Sequence, residues 1–282
     1  MPRIPAVLTD PTDVRGTARP VLSASGITVR FGGITALDNV SAEVSRGEVL
    51  GVIGPNGAGK TTLFNVICGF VQPDKGAIRW HGREVCRLRP DRLAHLGIAR
   101  TLQGIGLFPA LTVLENVIVG ADRFRRAPLP GAFLGLPASD RDDRQLRERA
   151  LAQLTRLGCR DVADRLPPTL PYAVQKRIGL ARALVSEPDL LMLDEPAGGL
   201  GADDMRELAE LIESLGADIA VMLVDHHMDL VTSVCHRVTV LDFGRVIASG
   251  VPTEVQQDPD VLEAYLGREA ELEAEEALGA AS

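Results

Sequence analysis

Gly54-Pro55-Asn56-Gly57-Ala58-Gly59-Lys60-Thr61 is the stretch of this sequence that decides the fold. It satisfies every fixed position of the phosphate-loop pattern G-x-x-x-x-G-K-[ST]. The mostly apolar run at residues 48–53 predicts a buried strand before it, and residues 62–67 predict the opening of a helix after it. A strand, a glycine loop and a helix in this order are the context that the pattern needs.

The residue types of this loop suit it to hold phosphate groups. Its glycines allow backbone N–H groups to approach phosphate oxygens closely, and the helix N-terminus adds partial positive charge. Lys60 can reach the β- and γ-phosphates, and Thr61 offers its hydroxyl to Mg²⁺. With Thr62, these residues form the predicted nucleotide-binding loop. The alternative is a glycine-rich turn that binds nothing, which the flanking strand and helix argue against.

The composition is that of a globular protein with a sizeable core: 45% of the 282 residues are hydrophobic, and the net charge is −8. The negative charge argues against nonspecific nucleic-acid binding, so we expect no nucleic-acid partner. No apolar run approaches the ~18 residues of a membrane span, and the N-terminus lacks a signal-peptide core, so we expect a cytoplasmic protein. The four scattered cysteines are expected to be reduced packing residues.

The first hundred residues predict an arm and then an antiparallel sheet. Residues 1–20 contain four prolines and little apolar periodicity, which predicts a flexible arm. Segments rich in β-formers alternate between residues 21 and 44 around a glycine turn, and with residues 77–80 they predict the sheet. Phe31 ends the first strand, where it could stack on an adenine ring or be an ordinary strand aromatic.

The middle of the chain predicts mostly helices. One covers residues 111–119 with Thr112 as its N-cap; after a loop-like insertion at 121–139, a second runs from a cap at Ser139 or Asp140 to about residue 157. A third runs from residue 170 to about 185, with Pro171 in its first turn. Before them, a strand at 97–102 ends at Gln103, a residue type that is usually only solvated in such a place.

Two further strand ends carry candidate catalytic groups. Four apolar residues precede Asp194 and Glu195, so a buried strand aims Asp194 at the Mg²⁺ edge of the phosphate loop, and Glu195 could polarise the attacking water. The alternative is a pair of acids exposed in a loop.

A strand at 219–224 ends at Asp225-His226-His227, at the carboxyl edge where ligands bind in such sheets. His226 is therefore a candidate γ-phosphate contact, although histidines at strand ends are more often structural. We expect His227 to face solvent or to start the next helix.

The phosphate loop, Gln103, Asp194-Glu195 and His226 follow one another in an order and spacing that resemble an ABC transporter ATPase subunit. The resemblance covers residues 21–267. It is nearest to the ATPases of branched-chain amino acid importers, through four stretches and the insertion at 121–139. These stretches are Arg30-Phe31-Gly32-Gly33, residues 99–103, residues 107–117 and, most specifically, residues 258–267.

The resemblance implies an α/β fold: a P-loop NTPase (ABC ATPase) core with an antiparallel β subdomain and an α-helical subdomain inserted at about residues 104–186. An acidic tail, residues 268–282, follows the ATPase domain. The implied cofactors are ATP and Mg²⁺. The implied partners are membrane permease subunits, a second ATPase subunit and, indirectly, a solute-binding protein, at the cytoplasmic face of the inner membrane.

The resemblance also implies residue roles. Phe31 would stack on the adenine, and Gln103 would couple Mg²⁺ and water to the helical subdomain. Glu195 would be the catalytic base, with His226 as the γ-phosphate sensor and Lys60 on the phosphates. The implied metal contacts are Thr61, Gln103 and Asp194.

One stretch departs from the family pattern. Where the family has Leu-Ser-Gly-Gly-Gln, its signature, this chain has Leu170-Pro171-Tyr172-Ala173-Val174. Pro171 has neither hydroxyl nor N–H, and Tyr172 and Ala173 add side chains where glycine permits close approach. Relatives in this subfamily often carry the Tyr and lack the Ser, but losing the second Gly goes further. We therefore expect an asymmetric dimer with a different ATPase subunit; a homodimer is the alternative.

Two other functions compete with transport. A soluble ABC protein of DNA repair or translation would usually carry a long coiled coil or two cassettes, and this sequence has one cassette and no heptad run. A weakly hydrolysing regulatory subunit fits the altered signature, but the intact Lys60, Asp194, Glu195 and His226 argue against it. The sequence does not identify the solute.

Overall fold

The computed structural model describes residues 19–86, 88–101, 104, 106–125 and 137–265, with backbone only for 137–140. Most of the expected arm at 1–20, the tail at 268–282, Gln103 and much of the insertion lie outside these ranges. The strands are β1 (Leu22–Phe31), β2 (Ile34–Val44), β3 (Val49–Ile53), β4 (Lys75–Trp80), β5 (Arg83–Glu84), β6 (Ile98–Arg100), β7 (Leu190–Asp194), β8 (Ala220–Val224), β9 (Arg237–Asp242) and β10 (Arg245–Gly250).

The helices of the described ranges alternate with these strands along most of the chain. They are α1 (Lys60–Ile67), α2 (Leu93–Leu96), α3 (Val113–Gly120), α4 (Pro137–Arg156), α5 (Tyr172–Leu184), α6 (Ala202–Gly216), α7 (Met228–Val234) and α8 (Pro252–Val255), and residues 259–265 are also helical. None of the helices in this part of the chain has both the length and the apolar character that a bilayer crossing requires.

Two sheets make up the β structure. Strands β2-β1-β4-β5 form a four-stranded antiparallel sheet, which confirms the hairpin predicted around Gly32-Gly33 and its pairing with residues 77–80. The second sheet has the order β10-β9-β3-β8-β7-β6, and only β10 pairs antiparallel. The expected α/β fold with an antiparallel β subdomain is therefore confirmed.

The parallel strands β3, β7 and β8 are buried along their whole length. Their alternate residues face two separate hydrophobic cores: Val49 and Ile53 of β3 join one core, while Leu50 and Val52 join the other. A strand that is covered on both faces needs apolar residues at every position, which explains its continuous apolar sequence. The carboxyl ends of these strands meet at one edge, where the predicted site residues follow.

Helices α3, α4 and α5 pack on one another within the first of these cores, in the region expected to be the helical subdomain. Thr112 caps α3 as predicted: its hydroxyl accepts from Glu115 N at 3.2 Å, and the Glu115 carboxylate accepts from Thr112 N at 2.7 Å.

Two predicted helix starts were wrong. Helix α4 begins at Pro137, so Ser139 and Asp140 lie inside it rather than capping it; proline is well suited to a first helical position because its missing N–H would be unpaired there. Helix α5 begins at Tyr172, so Pro171 is its N-cap and does not belong to its first turn. Its ψ of 150° is extended, and the helix starts after it.

Candidate active site

The phosphate loop depends on glycine at two positions. Gly54 has φ of 140°, and a Cβ there would lie 2.0 Å from the carbonyl oxygen of Leu241 on β9. Gly59 has φ of 104° as the N-cap of α1, and its Cβ would lie 2.7 Å from the carbonyl oxygen of Ala36 on β2. Both contacts are with backbone, so neither neighbour can move aside easily, and the loop keeps its tight path between β9 and β2.

The mouth of this loop has the charges that a phosphate needs. Lys60 Nζ donates to the carbonyl oxygens of Gly54 at 2.6 Å and Pro55 at 2.7 Å. Among the described residues no side chain caps α1, so the amide groups of its first turn remain available to an anion. Thr61 is exposed in this first turn and Thr62 is half-buried beside it. The loop therefore presents an ammonium group, backbone amides and a hydroxyl together.

Asp194, the last residue of β7, is buried beside the loop, with 3% of its side chain exposed. Its Oδ2 accepts from Arg100 Nη2 at 2.6 Å, and Arg100 Nη1 donates to Asn65 Oδ1 of α1 at 2.8 Å. Burial lowers the pKa of the Arg100 guanidinium, but the hydrogen bonds and charges of Asp194 and Cys68 together outweigh burial and raise it. Arg100 thus balances the carboxylate and ties the end of β7 to the helix of the phosphate loop.

Glu195 and His226 follow neighbouring strands at the same edge. Glu195 is half-buried, and its N–H donates to the carbonyl oxygen of Val224 on β8 at 2.8 Å. His226 follows β8 after Asp225, and 60% of its side chain is exposed. His227 is the N-cap of α7, which agrees with the expectation that it starts the next helix. The two candidate catalytic groups therefore follow adjacent, hydrogen-bonded strands.

Phe31 is at the end of β1, paired with Ile34 across the hairpin, and is 52% exposed. Ala36, two residues further along β2, is the residue whose carbonyl lies against Gly59. The hairpin that carries Phe31 thus lies beside the phosphate loop, and the stacking role of Phe31 stays a prediction. Gln103 lies outside the described residues, and its role stays a prediction.

The altered signature forms a regular helix start. Pro171 is the N-cap of α5 and makes no side-chain hydrogen bond there. The Tyr172 ring lies over Lys176, with 5.4 Å between the ring centroid and Nζ. The ring is also close to Gly199, because a Cβ added to that glycine would lie 3.1 Å from Tyr172 Cε1. Ala173 and Val174 are half-buried in the first turn. The backbone of this turn is helical, but Pro171 offers no hydroxyl where the family pattern has Ser.

A cavity of about 400 Å³ lies between the end of β7 and helices α5 and α6. Leu180 and Leu208 contribute to its apolar wall, and Arg156 and Glu207 are among its charged lining residues. Thr101 and Gly104 also line it, so the segment predicted to couple the site to the helical region borders this cavity.

Several residues around the site were missed by sequence reasoning. Arg100 had a usable signal, because it is a lone charge at the end of a short apolar strand. Lys176 and Asp225 had no such signal in the sequence, since their hydrogen-bond partners are distant in sequence or are backbone groups. Tyr265, in helical segment 259–265, packs against the first of the two cores, and burial raises the pKa of its hydroxyl.

Comparisons with known proteins agree with this architecture. The family model described as "ABC transporter" matches residues 37–198, and the model described as "Branched-chain amino acid ATP-binding cassette transporter" matches residues 245–271. The second match begins with β10 and includes all of residues 258–267, the C-terminal stretch that carried the most specific resemblance.

Similar proteins cover most of the chain. It is 38% identical over 252 residues to the high-affinity branched-chain amino acid transport ATP-binding protein BraF of Pseudomonas aeruginosa, covering 89% of this chain and 99% of that protein. LivG of Escherichia coli, a protein of the same description, gives the same identity and coverage.

Solved structures lead to the same fold. The crystal structure of the ADP conformation of MJ1267, an ATP-binding cassette of an ABC transporter, has a TM-score of 0.78 and 31% identity, covering 89% of this chain and 100% of that one. The dimeric post-hydrolysis structure of the cassette MJ0796 bound to ADP and Pi has a TM-score of 0.68 and 25% identity, covering 82% and 98%.

Proposed function

We propose that this chain, which belongs to the ABC transporter family, is the ATP-hydrolysing subunit of an importer for branched-chain amino acids or a similar small solute. The observation that carries the proposal is that the phosphate loop, Asp194-Glu195 and His226 meet at one edge of the parallel sheet. The importer type rests on the C-terminal match at residues 245–271 and on the relatives BraF and LivG.

The residues at this edge divide the work of hydrolysis. The loop amides and Lys60 hold the β- and γ-phosphates, and Phe31 stacks on the adenine. Glu195 orients and polarises the attacking water, while His226 donates to the γ-phosphate. Both groups act at the same phosphorus because they follow adjacent strands.

The residues present also fit Mg²⁺. Thr61, Asp194 and Gln103 supply hydroxyl, carboxylate and amide oxygens, which are the hard ligands that this ion prefers. Bound there, Mg²⁺ would neutralise charge on the β- and γ-phosphates. Arg100 holds the Asp194 carboxylate toward α1, so the protein orients this ligand through a buried ion pair.

We propose that the chain works at the cytoplasmic face of the membrane, on separate permease subunits, with a solute-binding protein acting indirectly. Its ATPase partner is a different subunit that carries an intact signature. Support for the different subunit comes from Pro171, which brings neither hydroxyl nor N–H to the start of α5, and from the side chains of Tyr172 and Ala173. The nucleotide of the partner would face this weakened turn, so the two sites would turn over unequally.

Reconstitution into liposomes with the permease and binding-protein subunits tests the function. We expect ATP hydrolysis that rises when the permeases are present, and ATP-dependent uptake of leucine, isoleucine or valine. Lys60→Ala should abolish both, and Lys75→Met, a change on the exposed start of β4, should leave both unchanged. Hydrolysis without uptake of any amino acid would contradict an amino acid importer; binding without hydrolysis would instead favour a regulatory subunit.

A further inference from the structure

The loop that follows β7, residues 195–199, is held from two sides by charged side chains; we call it the carboxylate loop. On one side, Lys176 Nζ donates to the carbonyl oxygens of Glu195 at 3.2 Å and Pro196 at 2.8 Å. On the other side, the N–H of Ala197 donates to Asp225 Oδ2 at 3.0 Å. Three successive residues of the loop are therefore fixed through their backbone, independently of their side chains.

The carboxylate loop needs such support because Glu195 adopts a backbone conformation that its side chain disfavours. Its φ is 48°, in the left-handed region that residues other than glycine rarely occupy. Such a conformation persists only where the surrounding structure imposes it. The hydrogen bonds to Lys176 and Val224 meet Glu195 from both of its peptide groups.

Asp225 joins the carboxylate loop to the segment that carries His226. Its side chain is 0% exposed, and Oδ1 accepts from the N–H groups of His226 at 2.8 Å and His227 at 3.0 Å. The His227 ring, through Nδ1, lies 2.6 Å from the same oxygen, while Oδ2 accepts from Ala197. One buried carboxylate thus sets the separation between the loop of Glu195 and the backbone of His226.

Lys176 joins the carboxylate loop to the altered signature. It lies one turn after Tyr172 on α5, and its ammonium group lies under the Tyr172 ring. Tyr172 also contacts Gly199, at the far end of the loop. Burial lowers the pKa of the Lys176 ammonium, and the charges of Asp225 and Glu195 partly oppose this change. The first two turns of α5, through Lys176 and Tyr172, therefore lie against both ends of the carboxylate loop.

We propose that Lys176 and Asp225 are positioning residues for ATP hydrolysis, which together fix Glu195 relative to His226 and tie this unit to the first turn of α5. The inference rests on the roles proposed above for Glu195 and His226. Neither positioning residue touches nucleotide; both act through backbone that they hold in place. The first turn of α5 faces the nucleotide of the partner, so a movement of this turn would also move the Glu195 carboxylate.

Amide hydrogen exchange of the isolated full-length chain tests the positioning directly, because it needs no turnover. Lys176→Met removes the donor and keeps the length of the side chain. We expect exchange of the amides of Glu195 and residues 197–199 to become about tenfold faster, with the amides of β8 unchanged. Lys176→Arg should restore protection, since a guanidinium can donate to both carbonyl oxygens. Lys75→Met is the matched control and should exchange as the wild type does.

Hydrolysis by the reconstituted transporter supplies the second readout. A small displacement of a catalytic group costs about 10²-fold in rate, so Lys176→Met should lower kcat by about that factor while the KM for ATP stays within about twofold. Lys176→Arg should recover most of kcat. A general loss of structure would instead lower the melting temperature and raise KM, and Lys176→Arg would not reverse it.

Glu195→Gln distinguishes a failure of the role proposed for Glu195 from a failure of the positioning role proposed for Lys176. If Glu195→Gln hydrolyses ATP normally, the role proposed for Glu195 fails, while the exchange experiment still tests the positioning. If Glu195→Gln is inactive but Lys176→Met keeps normal kcat and normal exchange, the positioning inference is overturned. Should Lys176→Met fail to fold, Asp225→Asn takes its place, with faster exchange at Ala197 or at residues 226–227 expected and unchanged exchange contradicting the inference.

Discussion

The N-terminus of α1 and the N-terminus of α5 are two helix starts with opposite chemistry. The first is capped by Gly59 at φ of 104° and opens with Lys60, so amides and an ammonium group converge on one point. The second is capped by Pro171, which has no N–H, and opens with Tyr172. We therefore expect the chain to hold its own nucleotide well and that of a partner poorly.

The two helix starts also differ in how they are packed. Around α1, added atoms would meet backbone: a Cβ at Gly54 would lie 2.0 Å from the carbonyl oxygen of Leu241. At α5, Pro171 and Tyr172 are exposed, and a Cβ added at Gly199 would meet side-chain atoms of Tyr172. Changes at the first helix start should therefore be costly, whereas changes at the second should be tolerated or even beneficial to turnover.

The largest expected effect comes from removing the catalytic glutamate of each ATPase subunit in turn, in the reconstituted transporter. Glu195→Gln should lower total hydrolysis by about 10²–10⁴-fold, the usual contribution of a positioned general base. The equivalent change in the partner should have a small effect, because the nucleotide of the partner faces the altered α5 turn. Equal losses of hydrolysis from the two variants would show that the two nucleotide sites turn over equally, whatever the difference between the helix starts.

The next effect is on stability. Arg100→Met leaves the buried Asp194 without its partner, and breaking a buried ion pair in this way costs about 3–5 kcal/mol. Arg245→Met removes the partner of Asp38 from a pair whose arginine is 71% exposed, so the loss should be about 0–1 kcal/mol. Urea unfolding of both variants measures the difference. Similar losses in the free energy of unfolding would show that the buried Asp194 pair contributes no more to stability than an exposed ion pair does.

A smaller effect, of the opposite sign, should follow from repairing the signature. Pro171→Ser with Ala173→Gly restores a hydroxyl and the close approach that glycine allows at the start of α5. Hydrolysis at the site of the partner, measured with Glu195→Gln in this chain, should rise by about tenfold, the rate equivalent of one net hydrogen bond. Unchanged turnover would mean that the altered turn does not limit the site of the partner.

The last pair of effects compares the two N-caps directly, and the effect at Pro171 is the smallest of all. Gly59→Ala should lower the free energy of unfolding by about 1–3 kcal/mol, since alanine disfavours φ of 104°. Pro171→Ala changes an exposed cap that already has ordinary dihedral angles, so the change should stay within about 0.5 kcal/mol. Thermal or urea unfolding of the isolated chain gives both values, and a larger loss at Pro171 would contradict the assigned difference.

Much of the fold and part of the site could be predicted from the sequence. Strands such as β7 and β8 are continuous apolar runs because both of their faces are covered, and each run ends in a polar residue at the ligand-binding edge. This is why Asp194, Glu195 and His226 could be placed at one edge without coordinates. The start of α4 was missed because Ser139 and Asp140 look like caps, while Pro137 serves as well.

The contacts that support the site could not be predicted in the same way. Arg100 pairs with Asp194 from 94 positions away, and Lys176 contacts only carbonyl oxygens, which every residue type carries. Asp225 precedes a candidate histidine, but its link to Ala197 depends on how β7 and β8 lie side by side. Such partners follow from tertiary packing, for which local pattern carries no signal.

The most direct test of the difference between the two helix starts is the ATP-dependent dimerisation of Glu195→Gln alone, measured by size-exclusion chromatography with light scattering. Without its base, the variant should trap any closed dimer that ATP can form. We predict that it binds ATP and stays monomeric, because Pro171-Tyr172-Ala173-Val174 does not hold a γ-phosphate well enough to close a homodimer. A stable ATP-dependent dimer of this chain alone would contradict the account.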